Sequence, residues 1–219
     1  MGLPPLNLPN RITIARIIAC PLIAALIFSP RASLLLLAFV LFLAAALSDL
    51  WDGHLARKHG WVTDTGKLLD PLADKLLLLA TFLPFYVVSQ RPEAVTDVPW
   101  WGPLPLWVVI VIFGRELLVT LLRSWAAHRG SIVSAGRSGK IKAFIQNIFS
   151  GSLILWYGLL RTALDRGWVD SVAWTVWATF HGAVVALALA VATFLTVWSL
   201  GVYLWQNRAL LAGARGSGG

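Results

Sequence analysis

Six apolar segments, at about residues 12–29, 32–51, 67–89, 104–126, 142–160 and 173–205, constrain this chain more than any other feature. Each approaches or exceeds the roughly 20 residues a helix needs to cross a bilayer. Between them stand the breakers Ser29-Pro30, Arg91-Pro92, Pro99, Gly102-Pro103 and the stretch from Gly130 to Gly139. In lipid every backbone amide must find its partner inside its own segment, so such a chain folds as a helical bundle. Only 13% of its 219 residues are charged, against about 25% in a soluble domain. The expectation is an all-α integral membrane protein with six transmembrane helices.

No repeat stands out, so residues 1–207 are read as one membrane domain and 208–219 as a flexible tail. The first apolar segment lacks a small-residue cleavage site and is read as a retained span. Cys20 is the only cysteine, which excludes an intrachain disulfide and any cysteine-based metal site. The 12 tryptophans suit the belts at the two membrane surfaces. His54, His59, His128 and His181 have no metal-ligand spacing; the first three read as loop or interface residues, and His181 has no evident role.

A net charge of +8 would suggest nucleic acid in a soluble protein, but here the basic residues gather in particular connections. With the N-terminus inside, twelve Lys and Arg fall on the cytoplasmic side and four, Arg31, Arg91, Arg161 and Arg166, on the other. That asymmetry orients the chain with both termini in the cytoplasm of a cell inner or plasma membrane. No nucleic-acid partner is expected; membrane lipids are.

The same orientation puts an acidic segment at the cytoplasmic face. It reads Asp49-x2-Asp52-Gly53-x2-Ala56-Arg57-x8-Gly66-x3-Asp70-x3-Asp74. Asp49 and Asp52 share a face if the second helix continues past its apolar stretch, and Asp70 and Asp74 share one at the start of the third. A central aspartate costs roughly 2.5–3.5 kcal/mol to insert, so four of them call for bound positive charge. Oxygen-only donors favour Mg2+ or Mn2+, and four carboxylates suffice for two ions. Gly53 and Ala56 keep the surface open to a ligand, and Arg57 offers a donor fork to phosphate. Gly66 and Lys67 are read as opening the third helix, where free amides favour anions, with Pro71 near its first turn. Asp64 lies outside the pattern and reads as a solvated loop residue.

These residues resemble the signature of the CDP-alcohol phosphotransferases, from which the chain departs nowhere. The resemblance implies displacement of CMP from a CDP-linked donor by an alcohol at a metal-dependent, cytoplasmic-face site. It makes Asp49, Asp52 and Asp70 metal ligands, and Asp74 both the general base and a further metal ligand. It sets Gly53, Ala56 and Arg57 against the CDP moiety and makes the protein a homodimer.

Two further stretches bear on the alcohol. Asn7-Leu8-Pro9-Asn10-Arg11-Ile12-Thr13-Ile14-Ala15-Arg16 resembles an opening common to phosphatidylglycerophosphate and cardiolipin synthases. Asn10 and Thr13 would then contact the nucleotide; alternatively they cap the first helix. Ser138-Gly139-Lys140-Ile141-Lys142-Ala143-Phe144-Ile145-Gln146 resembles a phosphatidylglycerophosphate synthase element, with Ala143 where threonine is usual. Lys140 and Lys142 are candidates for an acceptor phosphate, with Arg115 and Arg123 of the fourth segment. Neighbours on a helix do not face each other, so Arg115 is expected to turn from Glu116 into a polar cavity. The expected substrates are CDP-diacylglycerol and glycerol 3-phosphate. The rivals are a cardiolipin synthase using phosphatidylglycerol and, outside enzymes, a divalent-cation transporter.

Overall fold

The structure, a computed structural model, describes residues 7–59, 63–92, 96–128 and 137–208, and the side chains of all of these except 50, 52–59, 64, 65, 67, 127 and 137–140. The described residues form six helices: α1 (Leu8–Ile27), α2 (Ala32–His59), α3 (Asp64–Ser89), α4 (Leu106–His128), α5 (Arg137–Arg166) and α6 (Val172–Gln206). Among them there is no strand, only an isolated bridge between Val98 and Gly102 in the α3–α4 connection.

Among the described residues five stretches are long and apolar enough to cross a membrane: Leu8–Ile27, Ala32–Asp49, Leu68–Ser89, Ile141–Arg166 and Val172–Gln206. Helix α4 has the length, at 23 residues, but carries Arg115, Glu116 and Arg123. Large apolar side chains such as Ile18, Val40, Ile110 and Phe194 lie more than half exposed on these helices. Exposure on that scale suits hydrocarbon rather than water. The chain is a multi-pass membrane protein.

Two compact units divide the chain: Met1–Leu104 with Ser150–Val185, and Pro105–Phe149 with Ala186–Gly219. In the first, α1 buries a stripe at helical spacing, Asn10, Thr13, Arg16, Cys20, Ile23 and Ile27. The stripe is polar at its N-terminal end and apolar beyond Cys20. Helix α2 buries Leu35, Ala38, Phe42 and Ala45, and the same spacing leads on to Asp49. Helix α5 approaches α2 closely through glycine. A Cβ on Gly158 would come within 2.8 Å of Leu36 Cδ2 and 3.3 Å of the Leu36 amide nitrogen, and one on Gly151 within 3.2 Å of the Phe42 ring. Small residues at such contacts let helix backbones approach in lipid. A buried hydroxyl pair, Thr81 Oγ1 and Ser150 Oγ at 3.1 Å, joins α3 to α5. His181, without a role in the sequence, has a packing one: it stacks on Trp177 at 4.6 Å and bonds through Nε2 to the Ser152 carbonyl at 2.9 Å.

Several sequence expectations change. Asn7, not Asn10 or Thr13, caps α1: its side chain accepts from the Asn10 amide at 3.2 Å. Helix α3 begins at Asp64, earlier than the apolar segment, so Asp64 is helical rather than in a loop and Pro71 lies inside the helix rather than near its first turn. The charged first turns of α3 are invisible to a reading based on apolar runs.

Candidate active site

Three polar residues of α1 meet the ends of α2 and α3 inside the first unit. Asn10 Nδ2 donates to Thr63 Oγ1 at 3.0 Å. Thr63 is the N-cap of α3 and also accepts from the Gly66 amide at 3.0 Å. One turn along α1, Thr13 Oγ1 donates to Asp70 Oδ1 at 3.0 Å. A further turn on, Arg16 Nη1 lies 2.5 Å from Asp49 Oδ1 and 3.6 Å from Asp74 Oδ1, with Ser48 Oγ at 3.5 Å from its Nε. The Arg16 side chain is wholly buried, whereas Asp49 and Asp74 are 38% and 60% exposed. One guanidinium thus ties an α2 carboxylate to an α3 carboxylate while both keep an open side.

Helix α2 does continue past its apolar stretch, through Asp49 to His59. Asp52, Gly53, Ala56 and Arg57 therefore lie on a helix, but their side chains are outside the described residues, as is that of Lys140 on α5. Gly66 differs from expectation. Its amide is taken by Thr63, and its value is space: a Cβ there would stand 2.8 Å from Asn10 Oδ1.

The donor set suits a hard cation, because Asp49, Asp70 and Asp74 supply only oxygen and all three meet one face of α1. Among the described residues no group of three acidic or imidazole side chains is close enough to share an ion, and Asp52 is not among them.

The second unit holds a buried basic cluster. Lys142 Nζ and Arg115 Nη1 both bond to Glu116 Oε1, the latter at 3.1 Å. Arg115 turns to its neighbour after all, because the shared carboxylate accepts from α4 and α5 at once. Arg123 packs over the Tyr203 ring at 5.8 Å and lies within electrostatic range of Lys142. Arg115 Nε and Arg123 Nε are buried donors without a hydrogen-bond partner. Lys142 and Arg115 thus share one carboxylate while Arg123 lies near Lys142 without pairing to it, and buried donors of this kind call for an anion. Gln146 Nε2 reaches Thr196 Oγ1 at 3.4 Å beside them.

Residues 6–213 match the family described as CDP-alcohol phosphatidyltransferase. The chain belongs to this family. The phosphatidyltransferase is therefore an enzyme, and the family's chemistry depends on divalent metal ions. It is 38% identical over 161 residues to the CDP-diacylglycerol–glycerol-3-phosphate 3-phosphatidyltransferase of Bacillus subtilis, covering 68% of this chain and 77% of that one. It is 35% identical over 149 residues to the Rickettsia typhi protein of the same name, covering 68% and 76%. A Salmonella choleraesuis protein, again of that name, is 28% identical over 204 residues, covering 92% and 95%.

Three residues of these clusters, Arg16, Thr63 and Glu116, have no role assigned by the sequence pattern. Arg16 was within reach, since it follows Asn10 and Thr13 at a three-residue spacing. No sequence signal pairs Thr63 with Asn10 or Glu116 with Lys142.

Proposed function

We propose that this phosphatidyltransferase moves the phosphatidyl group of CDP-diacylglycerol to sn-glycerol 3-phosphate, giving phosphatidylglycerophosphate and CMP. The observation that carries the reading is the activity named for its relatives at 28–38% identity. The surplus of buried positive charge around Lys142 supports a phosphorylated acceptor.

The donor's acyl chains stay in the bilayer while its diphosphate meets the aspartates. Asn10, Thr13, Gly53, Ala56, Arg57 and Gly66 line the CDP moiety. Arg115, Arg123, Lys140 and Lys142 hold the acceptor phosphate and aim its free hydroxyl. Asp74 takes the hydroxyl proton as that oxygen attacks the phosphorus attached to diacylglycerol, and the bond to the CMP phosphate breaks. Arg16 keeps Asp49 and Asp74 in register throughout. Two divalent cations, Mg2+ or Mn2+, held by Asp49, Asp52, Asp70 and Asp74, would neutralise charge on the diphosphate and on departing CMP.

All six helices cross the membrane in this reading, α4 with its charged side chains turned inside the protein. Twelve basic residues against four support cytoplasmic termini and a cytoplasmic-face site. Residues 1–207 act as one catalytic domain with 208–219 as a tail, and the chain works as a homodimer.

An acceptor screen tests the reading. Purified protein with Mg2+ is expected to release CMP from CDP-diacylglycerol when glycerol 3-phosphate is added, and not with phosphatidylglycerol in its place. Release with phosphatidylglycerol alone would make the enzyme a cardiolipin synthase.

A further inference from the structure

The first unit carries a second charged recess, at the end of α1 and α2 away from the aspartates. Asp49 lies seventeen residues beyond Ala32 along α2, about 26 Å at 1.5 Å per residue. That distance covers most of a hydrocarbon core of about 30 Å. Here a cavity of about 520 Å3 is lined by Arg31, Ser33, Arg161, Thr162, Asp165 and Arg166, among others. Its size lies within the range of small-molecule sites, roughly 300–1,000 Å3.

Charge makes the recess unusual. Basic residues are scarce in the connections on this side, yet three of the four placed there by sequence line this one cavity. Asp165 is the only carboxylate in the lining. It lies 3.5 Å from Arg161 Nε, but that nitrogen is buried and makes no hydrogen bond, to Asp165 or to any other group. Ala32 and Ser33, the first residues of α2, form part of the wall, and the first turn of α2 contains no acidic residue. Helix-start amides add to the attraction for an anion.

Lipid is favoured over free phosphate by what lies beside the recess. Ser33, Leu37 and Val40 follow helical spacing along one flank of α2, where Leu37 is 45% and Val40 59% exposed. A headgroup held at Ser33 would leave acyl chains running down that flank toward the bilayer centre.

We propose that this cavity binds the phosphate of an anionic phospholipid from the leaflet opposite the aspartates, through Arg31, Arg161 and Arg166. The site is separate from the reaction and shares no residue with it.

Native mass spectrometry of the full chain, released from nanodiscs of equal phosphatidylglycerol and phosphatidylcholine, tests this. The wild type should retain phosphatidylglycerol preferentially. The triple variant Arg31→Gln, Arg161→Gln, Arg166→Gln should lose that preference by roughly tenfold or more, as expected for lost charge-assisted contacts, with its thermal midpoint and CMP release kept. Asp165→Asn should hold the preference or raise it. Equal preference in wild type and triple variant would overturn the proposal. Should the triple variant not fold, Arg31→Gln alone, in an exposed connection, is expected to give an intermediate loss, and an unchanged ratio there is equally fatal. A wash with inorganic phosphate separates the two sources of the anion. Lipid kept through the wash supports the assignment; lipid displaced by it overturns it in favour of free phosphate.

Discussion

Arg16 is the residue on which the aspartate arrangement turns. Its planar fork reaches Asp49 on α2 and Asp74 on α3 from a fully buried position. Lysine carries the charge but not the fork. Arg16→Lys should therefore lower the rate constant for CMP release by about 100-fold, the scale of a misplaced catalytic group, with a smaller change in KM for CDP-diacylglycerol. Steady-state kinetics would check this, and a mutant with wild-type kcat would make Arg16 a packing residue. Asp74→Asn keeps the shape of a 60% exposed side chain and should abolish turnover while leaving the thermal midpoint within a few degrees. Glu116 governs the other cluster. Glu116→Gln weakens the charge pairing that orients Lys142 and Arg115, so KM for glycerol 3-phosphate should rise roughly tenfold. An equal rise in KM for CDP-diacylglycerol would place Glu116 outside acceptor binding.

At the scale of elements, the helices outrun their apolar segments at the end that matters. Helix α2 carries ten residues past Asp49, and α3 starts six before Asp70. Apolar runs mark the part of a helix in lipid, while hydrogen bonding and a cap such as Thr63 decide where it begins. The α2–α5 contact rests on Gly158, where a Cβ would press on both the side chain and backbone of Leu36. Gly158→Ala should destabilise the detergent-solubilised protein by about 1–3 kcal/mol, the usual cost of overpacking. A lowered thermal midpoint, with CMP release per folded molecule unchanged, is the expected result. An unchanged midpoint would mean that α5 shifts freely against α2.

For the whole molecule, the divalent-ion requirement is the property that spans both helices of the signature. Chelation should stop CMP release completely, with Mg2+ or Mn2+ restoring it, as the proposed carboxylate donors predict. Activity surviving exhaustive chelation would remove the ions from the reaction. Five of the spans, the acidic signature and the family were legible in sequence because lipid imposes long apolar runs and because the eight-position spacing is carried by the order of residues alone. The capping residue of α1, the sharing of Glu116 between Arg115 and Lys142, and the grip of Arg16 on two aspartates were not. Each of those depends on which faces of distant segments meet.

The order of the residues determined by itself that this chain lives in a membrane and carries four aspartates at helical spacing, since both follow from hydropathy and periodicity along one strand of chain. Only the tertiary structure decided that α1 supplies the buried arginine joining those aspartates, and that three arginines gather at the far end of the same unit. A salt bridge or a cavity exists only once side chains remote in sequence lie within a few ångströms, a condition that no local pattern encodes.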